Sequence, residues 1–380
     1  MNQTIKILID SKIPFIKGAL EDVAEVRYLN GSDFSNSEVR DTDALIIRTR
    51  TICDEELLRN SHVKYIATAT IGFDHIDTDY CKQHGIFWTN APGCNSSSVQ
   101  QYFVSAMIEL AVRKGFRFED VTLGIVGVGN VGSKVARVAQ ILGMRVILND
   151  PPRERKEGQK EFVSLDTIKK ESEIITFHVP LNMEGEDKSF KMANESFFNT
   201  LSKQVYLLNT SRGPVVDEHS LLKAMNNGKV KGCILDVWEN EPDINPVLVS
   251  KTEFATPHVA GYSTDGKANG TSMSVQAVSR FFGLGKETWV PENIPVPANA
   301  NLTLNCSDLS EFEILRKVYS ETYCILDDDT RLRNDLSKFE ENRGSYRLRR
   351  EPGAFSVQLI NNRNKELKNM LQQLGFTIVL

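Results

Sequence analysis

The chain of 380 residues has little that would staple, anchor or strongly charge it. Its six cysteines (Cys53, Cys81, Cys94, Cys233, Cys306 and Cys324) are scattered, with no CxxC pair. That spacing excludes a disulfide frame and a thiolate zinc site, so reduced thiols of a cytoplasmic protein are expected, with no metal centre. No apolar run reaches the roughly 18 residues needed to span a membrane, and none is expected to do so. The opening stretch MNQTIKILID starts a strand almost at once and has no secretory layout. Lysine and arginine total 45 against 50 acidic residues, a formal net charge of −5. A nucleic-acid partner would need a basic surface, so none is expected. Internal repeats and low-complexity tracts are also lacking. What is there is ordinary for a soluble globular chain: 41% apolar and 25% charged residues. The length calls for two or three domains.

One stretch stands out, VTLGIVGVGNVGSKVARVAQILGMRVILND, residues 121–150. An apolar run (Leu123–Val126) turns through Gly127-Val128-Gly129-Asn130-Val131-Gly132 into a helical pattern. A second apolar run then ends at Asp150. Strand, glycine turn, helix, strand and acid is the dinucleotide-binding fingerprint. Gly127 permits the tight turn, Gly129 lets the backbone approach a pyrophosphate, and Gly132 lets the helix pack close. The helix N-terminus offers unpaired N–H groups to that anion. Asp150 can accept bonds from both ribose hydroxyls and would repel a 2′-phosphate, so NAD is expected rather than NADP.

Short apolar runs precede it: Ile5–Asp10, Val26–Leu29, Ala44–Arg48, Tyr65–Thr70 and Ile86–Thr89. Their alternation with helix-like segments predicts βαβ units and a parallel sheet. A helix is expected over Asn95–Lys114, with one apolar stripe from Val99 to Leu110. Further strands are expected at Ile174–Val179, Val205–Asn209, Gly232–Val237 and Phe254–Thr256. Gly261–Leu284 reads as helical in its second half. Trp289–Asn299 carries three prolines and reads as an extended linker. The last eighty or so residues should hold a helix near Leu309–Ile325, a basic segment Tyr346–Arg350, and a strand, helix and strand over Phe355–Ile360, Lys365–Leu374 and Phe376–Leu380. So small a unit would have a thin core and is expected to pack on a partner subunit.

Ligands of a doubly wound sheet bind beyond the strands' carboxyl ends. The segments there are His178-Val179-Pro180, Thr210-Ser211-Arg212-Gly213, Asp236-Val237-Trp238-Glu239 and Thr256-Pro257-His258. Oxidising a hydroxyl beside a carboxylate needs a cation, a base and something to hold the base. Arg212 suits the cation, since its planar fork grips a carboxylate. His258 suits the base, and Glu241 or Glu239 the supporting carboxylate. His178 reads as structural.

With those residues in place the chain resembles the D-isomer-specific 2-hydroxyacid dehydrogenases, from about residue 5 to 285. The phrases that carry this are GIVGVGNVG, LLNTSRGPVVDEHSLLKAM, ILDVWENEP and TPHVAGY. The resemblance implies that Arg212, Glu241 and His258 are catalytic; the family's glutamate lies five residues after the strand-end aspartate, which selects Glu241. The phrases TATIGFDHID, APGCN, LNDPPR, ITFHVPL and TPHVAGYSTDGKANG point to a branch that oxidises a small phosphorylated 2-hydroxy acid in vitamin B6 synthesis. In that branch the C-terminal extension makes a homodimer. By position, Thr49, Thr70 and Tyr262 then match substrate contacts, together with Arg212. Gly127, Gly129, Asn130, Val131, Gly132, Asp150, Val179, Thr210, Ser211, Arg212, Asp236 and Gly261 are the candidate NAD contacts. A substrate phosphate needs further cations, for which Arg48, Arg50, Arg347, Arg349 and Arg350 are candidates.

The implied fold is α/β: a Rossmann-type doubly wound parallel sheet, a second flavodoxin-like α/β domain, and a small α+β C-terminal domain. The expected boundaries are 1–97 with 263–286 for the substrate domain, 98–262 for the NAD domain and 287–380 for the dimerisation domain. The alternatives are a dehydrogenase for another D-2-hydroxy acid, such as 3-phosphoglycerate, and a NAD-sensing protein on the same scaffold.

Overall fold

Five apolar runs at the start of the chain become a parallel sheet: β1 (Lys6–Asp10), β2 (Glu25–Leu29), β3 (Ala44–Ile47), β4 (Tyr65–Thr68) and β5 (Phe87–Thr89). The structure is a computed structural model and describes residues 4–158, 161–362 and 364–379. Strand order is β2-β1-β3-β4-β5, the flavodoxin-like order. All four residues of β3 are fully buried, as a strand covered on both faces requires.

The helix Thr264–Phe282 covers β3 and β4, placing Val275 and Val278 among Ile46 and Ala67. This unit therefore joins Met1–Asn95 to Ser263–Pro295. The helix fills nearly the whole stretch that had been expected to be helical only in its second half. Its glycine-rich start is helical because Ser263 caps it, accepting from Gly266 N at 2.8 Å. Gly270 is needed for close approach, since a Cβ there would lie 2.7 Å from the Ala69 carbonyl oxygen.

The second unit joins Ser96–Tyr262 to Val296–Leu380. Its main sheet holds β6 (Thr122–Val126), β7 (Arg145–Asn149), β8 (Ile174–Phe177), β9 (Val205–Asn209), β10 (Val230–Leu235) and β11 (Phe254–Ala255). The strands are parallel in the order β11-β10-β9-β8-β6-β7. The order reverses at β6, which has β7 on one side and β8 on the other. The carboxyl ends of β6 and β8 therefore flank the switch point of a Rossmann sheet.

The C-terminal segment adds β12 (Asn301–Asn305), β13 (Ser356–Ile360) and β14 (Thr377–Val379), parallel in that order. The first of these was not expected, and the helix expected over Leu309–Ile325 is two helices, Glu311–Thr322 and Ile325–Asn334. The chain's last residue, Leu380, lies outside the described residues.

The C-terminal segment does not rest on a thin core of its own, because it shares one with the rest of this unit. Ile314, Leu315, Val318 and Tyr319 share one apolar cluster with Tyr102, Phe103 and Met107 of the helix Ser96–Lys114. Glu109 of that helix takes Arg316 through two bonds of 2.9 Å. The Ala255 amide donates to Asp329 at 2.7 Å. This cover explains why the helix is buried on most of its circumference and not along one stripe.

Candidate active site

The glycine turn has the shape its sequence requires. Gly127 has φ +87°, and a Cβ on it would lie 2.7 Å from the His178 carbonyl oxygen and 2.8 Å from Val179 Cγ1. A Cβ on Gly132 would lie 2.0 Å from the Gly127 carbonyl oxygen. A Cβ on Gly129, by contrast, would meet nothing within 4 Å among the described residues. Gly129 and Asn130 are exposed and Val131 is half-buried at the start of the helix Asn130–Ile141. The turn thus leaves open space at the one glycine where a pyrophosphate must come close. Asp150 follows β7 and is tied to this turn. Its Oδ2 accepts the Val128 amide at 2.7 Å and its Oδ1 the Arg153 amide at 3.0 Å. The residues present fit a dinucleotide.

Beyond β8, His178 sits between two threonines, with Nε2 3.0 Å from Thr176 Oγ1 and Nδ1 3.3 Å from Thr210 Oγ1. Desolvation pushes its pKa down to about 3, so it is a neutral linking group. Beyond β9, Asn209 shapes the Arg212 turn. Its Oδ1 accepts the Ser211 amide and hydroxyl at 3.0 and 2.7 Å, and its Nδ2 donates to the Arg212 carbonyl at 2.9 Å. Arg212 is half-buried and donates one Nη1 bond to the Ser211 carbonyl at 2.8 Å. Gly213 seats this turn on the neighbouring loop. A Cβ there would lie 1.8 Å from the Trp238 carbonyl oxygen.

That neighbouring loop carries Glu241. Its Oε1 accepts the Trp238 amide at 2.9 Å, and its Oε2 lies 2.7 Å from His258 Nδ1. Trp238 is buried and pinned by its indole N–H to the Thr256 carbonyl at 3.0 Å. Glu239 points elsewhere, pairing with Lys191 at 3.4 Å, so geometry selects Glu241. His258 has φ +56°, a conformation that costs a β-carbon residue energy and persists only when its surroundings fix it.

Asp236 supplies the fixing. Its carbonyl accepts the His258 amide at 2.7 Å, and its carboxylate accepts the Val259 and Ala260 amides at 2.7 and 2.9 Å. The Thr256 hydroxyl donates to the same carboxylate at 2.6 Å, and Tyr102 donates to Thr256 at 2.8 Å. Burial raises the Asp236 pKa, and the nearby His258 opposes that rise. Gly261 and Tyr262 continue this loop. The sequence reading assigned Asp236 to the cofactor and missed this loop-shaping work.

The arginine candidates separate. Arg349 is 2% exposed. It donates to Gln101 at 3.0 Å, to the Val259 and Ala260 carbonyls at 3.2 Å, and to the Ser98 carbonyl at 2.5 Å. Its guanidinium also stacks on Tyr323 at 3.7 Å. Arg349 is therefore a buried clamp and not a phosphate ligand. Arg347 is likewise engaged, with Asp327 at 2.6 Å and Asp328 at 3.5 Å. Arg350 accepts a bond from Gln101 through its carbonyl.

In the first unit, Arg48 pairs with buried Asp10 at 2.9 Å, while Thr49 and Arg50 are exposed. Thr70 Oγ1 is 2.7 Å from Thr68 Oγ1 and donates to the Gly72 carbonyl at 2.9 Å. A cation the sequence reading missed is Arg343, whose Nη2 donates to the Tyr262 hydroxyl at 3.3 Å. No local motif marks it: it stands alone after Glu340 and Glu341, ahead of the more basic segment Tyr346–Arg350. Among the described residues, no three His, Cys, Asp or Glu gather as for a metal.

Comparison with known proteins gives matches to two family models. Residues 98–260 match the D-isomer specific 2-hydroxyacid dehydrogenase, NAD binding domain, and residues 294–375 match a domain of unknown function. The chain is 50% identical to an erythronate-4-phosphate dehydrogenase of Bacteroides thetaiotaomicron, over 93% of this chain and 99% of that protein. It is 37% identical to the enzyme of the same name from Proteus mirabilis, over 97% and 98%. Among solved structures, a D-lactate dehydrogenase from Aquifex aeolicus, complexed with NAD and lactic acid, is 30% identical with a TM-score of 0.60. That match covers 73% of this chain and 95% of the other.

Proposed function

The chain belongs to the D-isomer-specific 2-hydroxyacid dehydrogenase family, as an NAD-dependent enzyme, and on that premise we propose that its substrate is 4-phospho-D-erythronate. The product is (R)-3-hydroxy-2-oxo-4-phosphooxybutanoate, on the way to pyridoxal 5′-phosphate. The relatives' shared name supports the substrate. One observation supports the chemistry: Glu241, 2.7 Å from His258, stands on the loop against which the Arg212–Gly213 turn is seated.

Arg212 holds the substrate carboxylate with its planar fork. His258 accepts the proton of the neighbouring hydroxyl on Nε2, the nitrogen that Glu241 leaves available. Glu241 fixes the tautomer through Nδ1 and stabilises the imidazolium that forms. Bound NAD supplies the hydride acceptor. Gly127, Gly129, Asn130, Val131 and Gly132 would cradle its pyrophosphate and Asp150 would hold its ribose. Val179, Thr210, Ser211, Asp236 and Gly261 would supply its remaining contacts, and Tyr262 would touch the substrate.

The test is NADH formation by the purified protein on a panel of D-2-hydroxy acids. The highest kcat/KM is expected with 4-phosphoerythronate. A higher value with 3-phosphoglycerate or D-lactate overturns the substrate. Absence of NADH formation with every acid, despite NAD binding, favours a sensor.

The same reading includes a cytoplasmic homodimer joined through the C-terminal segment. The six free cysteines support the compartment. Sedimentation of the purified protein tests the dimer, and a monomer at working concentration would remove it.

A further inference from the structure

We propose that Arg343 is a specificity-determining residue that binds the phosphate of the substrate. The proposal rests on the phosphorylated substrate argued above, and it replaces Arg347 and Arg349, whose guanidinium groups are engaged elsewhere. Arg343 lies on the short helix Phe339–Gly344 of the C-terminal segment. It nonetheless reaches Tyr262, four residues after His258, donating from Nη2 to the phenol at 3.3 Å. Its guanidinium carbon lies 5.8 Å from the Tyr262 ring centre and 5.9 Å from that of Phe339. The Glu241 carboxylate is close enough to act on it electrostatically. The C-terminal segment therefore delivers a cation to the loop that carries His258.

The way its donors are used points to an anion. Nη1 pairs with Glu340 at 2.9 Å. Nε is buried and has no hydrogen-bond partner among the described residues. The side chain as a whole is only 22% exposed. A buried charged donor left unmade is costly, and such a donor in a native fold asks for a reason. Nε and Nη2 form the lateral edge of the guanidinium, the edge that grips phosphate or carboxylate in two parallel bonds. Nη2 of that edge holds only the long bond to Tyr262, and Nε holds none. A phosphate oxygen pair in front of this edge would satisfy Nε and shorten the idle contact. Arg212 is already occupied with the carboxylate in the proposed chemistry, so the two anionic ends of the substrate each meet an arginine.

The test compares Arg343→Gln and Arg343→Lys with the wild type on 4-phosphoerythronate and on unphosphorylated erythronate. Circular dichroism and NADH binding check that each variant folds. For Arg343→Gln, kcat/KM for the phosphorylated acid should fall about tenfold to a hundredfold more than for erythronate, the range for a lost bond to a charged group. The loss should appear mainly in KM. Arg343→Lys should recover part of the charge but not the two-bond geometry, giving an intermediate ratio. Inorganic phosphate should inhibit the wild type competitively and Arg343→Gln more weakly. Equal losses on both acids, or unaltered phosphate inhibition, would overturn the proposal and leave Arg343 a structural residue. A wild type with no preference for the phosphorylated acid would instead overturn the substrate reading, and the proposal with it.

Discussion

His258 Nδ1 lies 2.7 Å from Glu241 Oε2, while the other oxygen of that carboxylate holds the Trp238 amide at 2.9 Å. The glutamate is thereby fixed from one side and can fix the imidazole from the other. Replacing Glu241 by Gln keeps the size and removes the charge that stabilises a protonated His258. The expected result is a fall in kcat of roughly 10²–10⁴-fold, the scale of a general acid–base contribution. NADH affinity, measured by fluorescence titration, should stay as in the wild type. A near-normal kcat would mean that the pair is not the proton-handling group.

Three glycines in this unit make contrasting predictions. At Gly129 a Cβ meets open space, whereas at Gly132 and Gly213 it would strike backbone carbonyl oxygens at 2.0 and 1.8 Å. Gly129→Ala should therefore unfold at the wild-type temperature but bind NADH more weakly, because the methyl group occupies the space needed by the pyrophosphate. Gly213→Ala should lose about 1–3 kcal/mol or more, the cost of overpacking against groups that cannot yield. Thermal unfolding paired with NADH titration separates the two. A destabilised Gly129→Ala would show that the open space at that turn is filled in solution.

Arg349 offers a test of the corrected role. It bonds to four acceptors, including the Val259 and Ala260 carbonyls just after His258. Arg349→Leu keeps bulk against Tyr323 but strands those acceptors. A loss of about 3–5 kcal/mol in urea unfolding is expected, the scale for breaking a buried charged cluster. The variant should lose activity on phosphorylated and unphosphorylated acids by similar factors. A selective rise in KM for the phosphorylated acid would restore Arg349 as a phosphate ligand.

The nucleotide turn was legible because its signals are local: Gly127, Gly129, Gly132 and Asp150 have fixed jobs within one βαβ unit. Arg212 and His258 were legible because each follows a sheet strand, and strand ends of a parallel sheet converge. The choice of Glu241 over Glu239 was not legible from residue types, since both are glutamates on one loop. The family spacing from Asp236 selected Glu241, and the direction of each side chain gives the physical reason. Arg343 and Arg349 were misjudged for a related reason. Basic clustering in YRLRR suggested an exposed anion site, but burial depends on what packs over a residue from far along the chain. Arg349 meets Gln101 across 248 positions. The strand Asn301–Asn305 had a readable alternation of Leu302 and Leu304. It was overlooked beside a proline-rich linker, and its partner strand lies more than fifty residues later.

His178 gives a prediction about acid. Desolvation holds its folded pKa down to about 3, against an ordinary 6.5. Below 6.5 the unfolded chain takes a proton at this histidine while the folded chain does not, so the unfolded state binds more protons and stability falls as the pH is lowered. The contribution is fully present above about 6.5 and is lost progressively on acidification toward about 3. His75, which burial also shifts down, acts in the same direction in the other unit. His178→Gln can keep bonds to Thr176 and Thr210 without a titrating group. Between pH 7 and pH 5 the wild type should lose up to about 2 kcal/mol more than this variant, with a smaller value expected because the ring is partly exposed. Urea unfolding at the two pH values measures the difference. Parallel losses in the two proteins would mean that His178 takes up its proton in the folded state at an ordinary pH.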